Sequence, residues 1–253
     1  MSGWFTRRRV IVAGVAAVGV VAAGGTALAL TASSSPSHAA SISRGTRTSA
    51  SLKVASGTPI LEISVADLGG TLLRASTPDG APVRPVLSGS DLIVLSLAGA
   101  PPGQGSSGQG GGRGSGYAVR VVLNSAVTWS LDLAGGTELS RVDLRGGKVG
   151  GIAVTSGSDV LDVTLPRPAG TLPFLLAGGV SQFLLSLPGG VPAQVTVGGG
   201  ASFVSVDDQN LTGVAGGTVL TPPGWATATS RFAIDATSGF SRLTVSRWSS
   251  AGS

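Results

Sequence analysis

The chain has 253 residues, of which 42% are hydrophobic, only 11% are charged and 41 are glycine. Interior glycine destabilises a helix by about 1 kcal/mol relative to alanine, whereas tight turns accommodate it, so the composition favours an all-β fold. The formal net charge of +5 comes largely from three consecutive arginines at residues 7–9. Because the remaining arginines are scattered, no nucleic-acid-binding surface is expected.

The sequence also lacks several catalytic and metal-binding side chains. It contains no cysteine, and its single histidine, His38, lies in a segment rich in Ser and Ala. Disulfides, thiolate metal sites and cysteine nucleophiles are therefore excluded. We place His38 outside the folded part, which would leave that part without an imidazole for acid–base catalysis or metal binding.

The first element in chain order is an uncharged segment. Residues 10–30, VIVAGVAAVGVVAAGGTALAL, contain no charged side chain, and a helix of this length spans about 30 Å, the thickness of a bilayer's hydrocarbon core. Because positive charge stays cytoplasmic, residues 1–9 are predicted to be a cytoplasmic basic stub and residues 10–30 a single-pass transmembrane helix in the cell membrane, with the C-terminal domain outside. The alternative is a cleaved signal segment and a secreted protein, because Ala27-Leu28-Ala29 and Ser37-His38-Ala39 both fit a cleavage site.

A polar segment and a long apolar-patterned region follow. Residues 31–58 are rich in Ser, Thr and Ala, and low hydrophobicity of this kind is typical of a flexible tether. Residues 59–248 are predicted to form the folded domain, and residues 249–253 a short tail.

A repeat of about 21 residues organises the folded domain. Five segments align on a short turn: 129–144, 152–165, 174–187, 195–206 and 234–245. The residue before the turn pair is Ala134, Thr155, Ala177, Gly198 or Thr237, so the successive spacings are 21, 22, 21 and 39. The last spacing is close to two units.

Apolar residues alternate with other residues on both sides of these turns. In the second unit, Ile152 and Val154 precede the turn, and Leu161 and Val163 follow it. This pattern predicts two short strands per unit, each with one buried face. The near-constant period predicts a β-solenoid, in which stacked coils of about 21 residues bury one another's apolar rows. The alternative is an antiparallel β-sandwich, because hairpins would give a similar pattern.

Two further segments bear on this architecture. Residues 87–97 fit the repeat, with Ile93, Leu95 and Leu97 alternating. Residues 210–231 break it, because Pro222-Pro223-Gly224 is incompatible with a regular strand. We expect an irregular loop there, in which Trp225 caps apolar surface.

The glycine-rich stretch at residues 99–116 raises the question of nucleotide binding. Residues 103–108 read GQGSSG, which matches the G-x-G-x-x-G of dinucleotide sites. That motif requires a helix opening at its third glycine, but more Gly and Ser follow, up to a strand that starts near Tyr117. Without helix N-terminal amides there is no anion site. The stretch is interpreted as a loop between two strands, and no nucleotide binding is predicted.

Only a few of the carboxylates in the sequence are candidates for catalysis. Asp207-Asp208 follows a strand, but neighbours on a strand point to opposite faces and cannot flank one glycosidic bond, so we interpret them as a polar turn. Asp143, Asp162 and Asp235 alternate with apolar residues. They are expected to face solvent, where they could align on one wall.

The other chemically interesting residues also have plain structural interpretations. Lys53 and Lys148 have no recognisable activating partner, and Asn210-Leu211-Thr212 has the form of a glycosylation sequon. Trp129 and Trp248 are expected in the core or as caps rather than as a sugar-binding platform. No catalytic, cofactor-binding or metal-ligating residue is therefore assigned, no cofactor is expected, and the binding residues stay unidentified.

The motifs WSLDLAGG, TPPGW and SRLTVSRW, together with the glycine-turn repeats, resemble a family of exported bacterial proteins. These are adhesin-like proteins and domains of unknown function from high-GC Gram-positive bacteria. The resemblance covers residues 60–253, apart from the glycine-rich insertion. It implies a β-solenoid behind one membrane helix and a link to surface adhesion or envelope-stress sensing, and it implies no catalytic residues.

These observations predict a non-enzymatic cell-envelope protein. Its extracytoplasmic domain would present a surface for adhesion, binding or scaffolding, with a cell-wall polymer or another envelope protein as partner. One alternative is a small carbohydrate-active β-helix enzyme that uses Asp residues, which three or more converging carboxylates would favour. Another is a self-assembling envelope module, joined through unpaired strand edges.

Overall fold

The computed structural model describes residues 38–99 and 116–249. The predicted basic stub (1–9), the membrane segment (10–30), the start of the predicted tether, most of the glycine-rich loop and most of the tail lie outside the described residues. Within the described ranges, no helix is long and apolar enough to cross a membrane.

The described residues form nineteen strands and one 3₁₀ turn, Trp225–Thr227. The strands are β1 (Ala39–Ser43), β2 (Ser49–Val54), β3 (Thr58–Ala66), β4 (Thr71–Ser76), β5 (Arg84–Ser88), β6 (Leu92–Ala98), β7 (Ala118–Asn124), β8 (Thr128–Leu133), β9 (Thr137–Asp143), β10 (Lys148–Val154), β11 (Ser158–Thr164), β12 (Thr171–Leu176), β13 (Val180–Pro188), β14 (Ala193–Val197), β15 (Ala201–Val206), β16 (Gln209–Val214), β17 (Thr218–Leu220), β18 (Arg231–Ala236) and β19 (Phe240–Trp248).

These strands build two mixed sheets. Sheet A has ten strands in the order β1-β4-β7-β3-β9-β11-β13-β19-β15-β16, and sheet B has nine in the order β17-β14-β18-β12-β10-β8-β2-β6-β5. The inner strands pair in parallel. The strands towards the ends of both sheets pair antiparallel. The all-β prediction is confirmed, since the described residues contain no α-helix.

The core lies between the two sheets. Buried and solvent-facing residues alternate along the strands, as β12 shows over its whole length. Phe174 of β12 and Phe183 of β13 stack with their ring centroids 5.1 Å apart, so the two inner faces meet in one apolar cluster. Burying a side chain of this size stabilises the fold by about 1.5–3 kcal/mol.

Each of the five predicted repeats supplies one strand to each sheet. Residue Thr155, for example, directly follows β10 in sheet B, and the chain then enters β11 in sheet A. Val154 pairs with Leu133 on one side and with Leu176 on the other. Equivalent residues of neighbouring repeats therefore form continuous rows, and these rows make up the buried apolar core.

A sixth repeat begins within the predicted tether and continues into the predicted folded domain. It consists of β2 and β3, and its core residues Leu52 and Val54 are 0% and 3% exposed. The tether prediction for residues 31–58 is therefore wrong from residue 38 onward, because a few well-placed apolar residues suffice to pack a segment whose average hydrophobicity is low. His38 also belongs to the folded part, with its Nδ1 atom 3.0 Å from Thr77 Oγ1. The described domain thus does contain an imidazole.

The repeats do not stack in chain order. The unit β18–β19, last in the chain, lies between β12–β13 and β14–β15 in both sheets, and β2–β3 lies between β6–β7 and β8–β9. The predicted β-solenoid is therefore wrong as an architecture, because the chain leaves the stack and returns to insert later units between earlier ones. The alternative antiparallel sandwich is also wrong for the inner strands, which pair in parallel.

The turns from sheet B to sheet A match this order. Their middle residue alternates between serine and glycine along the stack: Ser56, Gly135, Ser156, Gly178, Ser238 and Gly199. A Cβ atom on any of these glycines would collide with the backbone of an adjacent serine turn. In chain order the turns of Gly178 and Gly199 would be neighbours, and the inserted turn of Ser238 restores the alternation.

Residues 87–97 and 210–231, which lie outside the five repeats, both differ in part from the predicted structure. Residues 87–97 belong to the hairpin β5–β6 within sheet B, which turns at Gly89 with φ 90°, so they do not form a unit that crosses between sheets. Residues 99–116 stand in the sequence between β6 of sheet B and β7 of sheet A, and the loop predicted there lies, apart from its two end residues, outside the described residues. Residues 210–231 include most of β16 and all of β17 before the irregular part that the prolines predict.

Candidate functional site

Asp143 is the last residue of β9, and it is bound by Arg145 in the following turn. Nε and Nη2 of Arg145 donate to the two carboxylate oxygens at 2.6–3.2 Å. These hydrogen bonds hold the pKa of Asp143 below its usual value, against a smaller opposing effect of burial. A carboxyl group in this state stays ionised near neutral pH and does not serve as a general acid.

Asp207 occupies the turn between β15 and β16, where it has a left-handed φ of 52°. The predicted polar turn is confirmed. Nε and Nη2 of Arg247 donate to the Asp207 carboxylate at 2.6 and 2.9 Å, and Nη1 donates to the carbonyl oxygen of Val191 at 2.7 Å. The hydrogen bonds from Arg247 lower the pKa of Asp207, whereas its neighbour Asp208 is exposed.

The remaining carboxylates do not converge on one groove. Asp162 lies in sheet A opposite Arg141 of the neighbouring strand, whereas Asp235 lies in sheet B. Asp143, Asp162 and Asp235 therefore do not align on one wall, because the repeats place them in different sheets. Lys53 forms an ion pair with Asp132 at 3.0 Å. Within residues 38–99 and 116–249, no three acidic or histidine side chains lie close enough to hold a metal ion.

Lys148, for which no activating partner was recognised, and Asn210, which begins the sequon, are both exposed. Asn210 lies on β16, the outermost strand of sheet A. Neither residue lines either of the two cavities described below.

The three tryptophans within the described residues are one core residue and two half-buried residues. Trp129 is 1% exposed and donates from Nε1 to the carbonyl oxygen of Asn124 at 3.0 Å, which confirms its core placement. Trp225 is half-buried, with the guanidinium of Arg231 4.5 Å from its ring centroid. Trp248 is also half-buried, and its Nε1 donates to the carbonyl oxygen of Leu165 at 3.2 Å.

A cleft of about 640 Å³ lies at the corner where strands of sheet A turn back to sheet B. We call it the corner cleft, and it is lined by Arg145, Gly147, Pro166, Arg167, Pro188, Gly189, Trp248 and Ser249. The lining comes from the connections after β9, β11 and β13 and from the end of β19. Proline has no amide hydrogen, so Pro166 ends β11 next to the carbonyl oxygen that anchors the Trp248 indole.

The corner cleft combines an aromatic wall with two arginines. Arg167 is exposed, and its Nη2 donates to the carbonyl oxygen of Gly189 at 3.2 Å. Its Nε and Nη1 atoms, and Nη1 of Arg145, make no hydrogen bond to any residue in the described ranges. The lining includes the two positive charges of Arg145 and Arg167, and the ion pair with Asp143 offsets one of them.

A second cavity, of about 450 Å³, lies on the other side of the loop after β13. Its lining includes Val191, Pro192 and Pro223 together with the ion pair of Asp207 and Arg247. Because these two charges are bound to each other, this cavity offers a ligand fewer free donors than the corner cleft.

No protein-family model matches the sequence, and no curated protein gives a significant match. Among solved structures, the fold is similar to that of a putative cell adhesion protein from Clostridium sporogenes, with a TM-score of 0.59 and 16% sequence identity. The similarity covers 82% of this chain and 97% of that one. At this level of identity the similarity establishes the fold alone.

Sequence reasoning did not find the corner cleft. The connections at 144–147, 165–170 and 188–192 were recognisable only as the Gly- and Pro-rich ends of the repeats. The signal that could have pointed to a site is the arginine in two of these connections, Arg145 and Arg167, at offsets that parallel stacking places on one corner. Trp248 could not be added to them without knowing that β19 lies beside β13.

Proposed function

We propose that this chain is a non-enzymatic cell-envelope protein that uses its two-sheet domain as an adhesion or binding surface. Residues 10–30 would hold it in the cell membrane as a single-pass anchor, with the C-terminal domain outside. Its partner would be a cell-wall polymer or another envelope protein.

The observation that carries the proposal is the contrast between the carboxylates and the corner cleft. Glu62, Asp132, Asp143 and Asp207 each form an ion pair with a basic side chain. The hydrogen bonds from Arg145 and Arg247 lower the pKa values of Asp143 and Asp207, which opposes proton donation by these two carboxyl groups. The corner cleft, by contrast, offers free arginine donors beside an indole ring. Such a combination suits binding, and the fold similarity to a protein described as a cell adhesion protein supports the same direction.

The test is a sedimentation assay with the full chain in detergent and purified cell-wall sacculi, combined with a reducing-sugar assay on the same samples. We expect the protein to sediment with the walls and to release no sugar. Release of sugar that increases with protein concentration would favour a carbohydrate-active enzyme instead. Failure to sediment with walls, together with failure to capture any envelope protein, would refute the binding role.

Membrane placement needs its own experiment. Fractionation of cells expressing the chain, followed by N-terminal sequencing of the recovered protein, should find it in the membrane fraction with residues 10–30 intact. A protein that begins after residue 29 or 39 and is recovered from the medium would mean a cleaved signal and a secreted protein.

A further inference from the structure

The corner cleft has the chemistry of a binding site for an anionic saccharide. We propose that it binds a saccharide polymer that carries phosphate or carboxylate groups, with Arg145 and Arg167 on the anionic group and the Trp248 ring against a sugar face. This inference rests on the proposed binding function and names the ligand class and the residues for it.

The donors of the two arginines support an anionic ligand. Guanidinium groups bind carboxylate and phosphate through paired hydrogen bonds. Arg167 donates from Nη2 to the Gly189 carbonyl, so its Nε–H and Nη1–H groups, which lie on different edges of the guanidinium, are not bound to a residue in the described ranges. The structure therefore leaves two single donors on Arg167, whereas Arg145 and Arg247 hold Asp143 and Asp207 with the paired Nε and Nη2 edge.

The position of Arg145 is fixed before a ligand arrives. Its bidentate pairing with Asp143 holds the side chain at the rim of the cleft and leaves Nη1 unbound among the described residues. A side chain held in place loses less conformational freedom on binding, which favours affinity. Arg145 can therefore add one hydrogen bond to an anionic group while it keeps its ion pair.

The tryptophan supplies the apolar part of the site. Its indole nitrogen is bound to the Leu165 carbonyl, so the ring orientation is fixed while the half-buried ring lines the cleft. An aromatic ring of this size provides a large contact area at small entropic cost. Pro166 and Pro188 line the same cleft.

The volume and shape suit a polymer rather than a small buried metabolite. Pockets that enclose a small ligand are typically about 300–1,000 Å³, and the corner cleft falls in this range at about 640 Å³. It is nevertheless open to solvent, since Arg145, Arg167 and Ser249 are all exposed. An open cleft lets a chain of sugars continue beyond the bound residues.

The experiment titrates the full chain, in detergent, with two matched pairs of probes and follows binding by calorimetry. Phosphorylated mannan oligosaccharides are compared with the same mannan after dephosphorylation, and oligogalacturonate is compared with its methyl ester. We expect the anionic member of at least one pair to bind at least tenfold more tightly than its neutral counterpart. The pair that shows the difference identifies phosphate or carboxylate as the natural group.

Two variants locate the binding. Arg167→Gln removes the positive charge of a side chain whose only hydrogen bond within the described residues is to the Gly189 carbonyl. Its affinity for the anionic probe should fall about tenfold, which is the effect of losing one charge-assisted hydrogen bond. Trp248→Ala should weaken the anionic and neutral probes alike. Arg242→Gln is the matched control, because Arg242 is exposed on sheet A and contacts the Phe203 ring, away from the cleft lining. It should leave the affinities unchanged.

The outcomes separate this inference from the proposed function. Equal affinity for anionic and neutral probes, or equal loss in Arg167→Gln and Arg242→Gln, would overturn the cleft as an anionic-saccharide site even where sacculi still bind the protein. If sacculi and all four probes fail to bind and no envelope protein is captured either, both this inference and the proposed binding function fail. Circular dichroism of each variant checks whether the fold is kept. If Trp248→Ala does not fold, the comparison of Arg167→Gln with Arg242→Gln decides whether the corner cleft is the binding site.

Discussion

Because neighbouring turns are in contact, we predict that replacing Gly178 by alanine destabilises the domain. An alanine Cβ there would lie 2.9 Å from the Ser156 amide nitrogen and closer still to the Ser156 carbonyl group. The turn cannot move aside freely, because the Gly178 amide donates to Val154 at 3.0 Å and the Gly178 carbonyl accepts from Ser238 Oγ at 2.6 Å. Gly178→Ala should therefore strain both neighbouring turns.

The expected size of the effect follows from the atoms involved. Overpacking a well-packed site costs about 1–3 kcal/mol, and a clash with backbone rather than with a flexible side chain puts Gly178→Ala at about 3 kcal/mol. For a domain of this length, 1 kcal/mol shifts Tm by about 2–4 °C. Thermal unfolding followed by far-UV circular dichroism should therefore show a Tm lower by roughly 6–12 °C.

The neighbouring glycine is the control. A Cβ at Gly179 would meet no heavy atom within 4 Å, and neither glycine has a left-handed φ. Gly179→Ala should thus change the free energy of unfolding by no more than about 0.5 kcal/mol. If the two variants unfold at the same temperature, close approach of the turns is not what requires glycine at position 178.

Three further predictions concern other parts of the fold. Asp207→Asn keeps the left-handed turn, which Asn tolerates, but removes the ion pair with Arg247. Because the pKa of Asp207 is lowered in the folded state, urea unfolding should show that the variant loses up to about 1 kcal/mol of stability at pH values above the unfolded-state pKa. This loss should vanish as the pH falls through the folded-state pKa, whereas Asp208→Asn should show no such pH dependence. A fragment of residues 38–253 should fold cooperatively, whereas residues 59–253 should not, because that fragment lacks β2; a cooperative thermal transition in the shorter fragment would contradict the revised domain boundary. Phe174→Ala should destabilise the domain by about 3–5 kcal/mol, and a loss below 1 kcal/mol in chemical unfolding would mean that the core does not depend on the ring pair between the sheets.

The local structure of the repeats was accessible from the sequence because two simple signals coincide. Apolar residues at alternate positions define the buried face of a strand, and a glycine turn at a constant offset defines where the strand ends. The same signals exist in the sixth repeat. Its Leu61 and Ile63 lie six and eight residues after Ala55, as the equivalent residues do in the second repeat. The polar residues around them lowered the average hydrophobicity and concealed the unit.

The order in which the repeats stack was not accessible in the same way. All units present similar aliphatic rows at the same offsets, so the hydrophobic effect, which is non-directional, does not distinguish one neighbour from another. What differs between units is the middle residue of the turn, serine in some and glycine in others. That difference is visible in the sequence, but its meaning depends on knowing that the turns touch.

The unusual order also creates the candidate site. Because β19 inserts beside β13, Pro188 pairs with Trp248, and the indole reaches the Leu165 carbonyl one unit further along the stack. If the units followed chain order, β15 would take that position, and the indole would lie one strand spacing, about 4.8 Å, further away. In the register of these strands Asp207 would then stand beside Ser186, and no residue of β15 would lie beside Pro188 in place of the aromatic ring. The insertion of β18–β19 between β12–β13 and β14–β15, which a stack in chain order does not contain, therefore brings an aromatic ring next to Arg145 and Arg167.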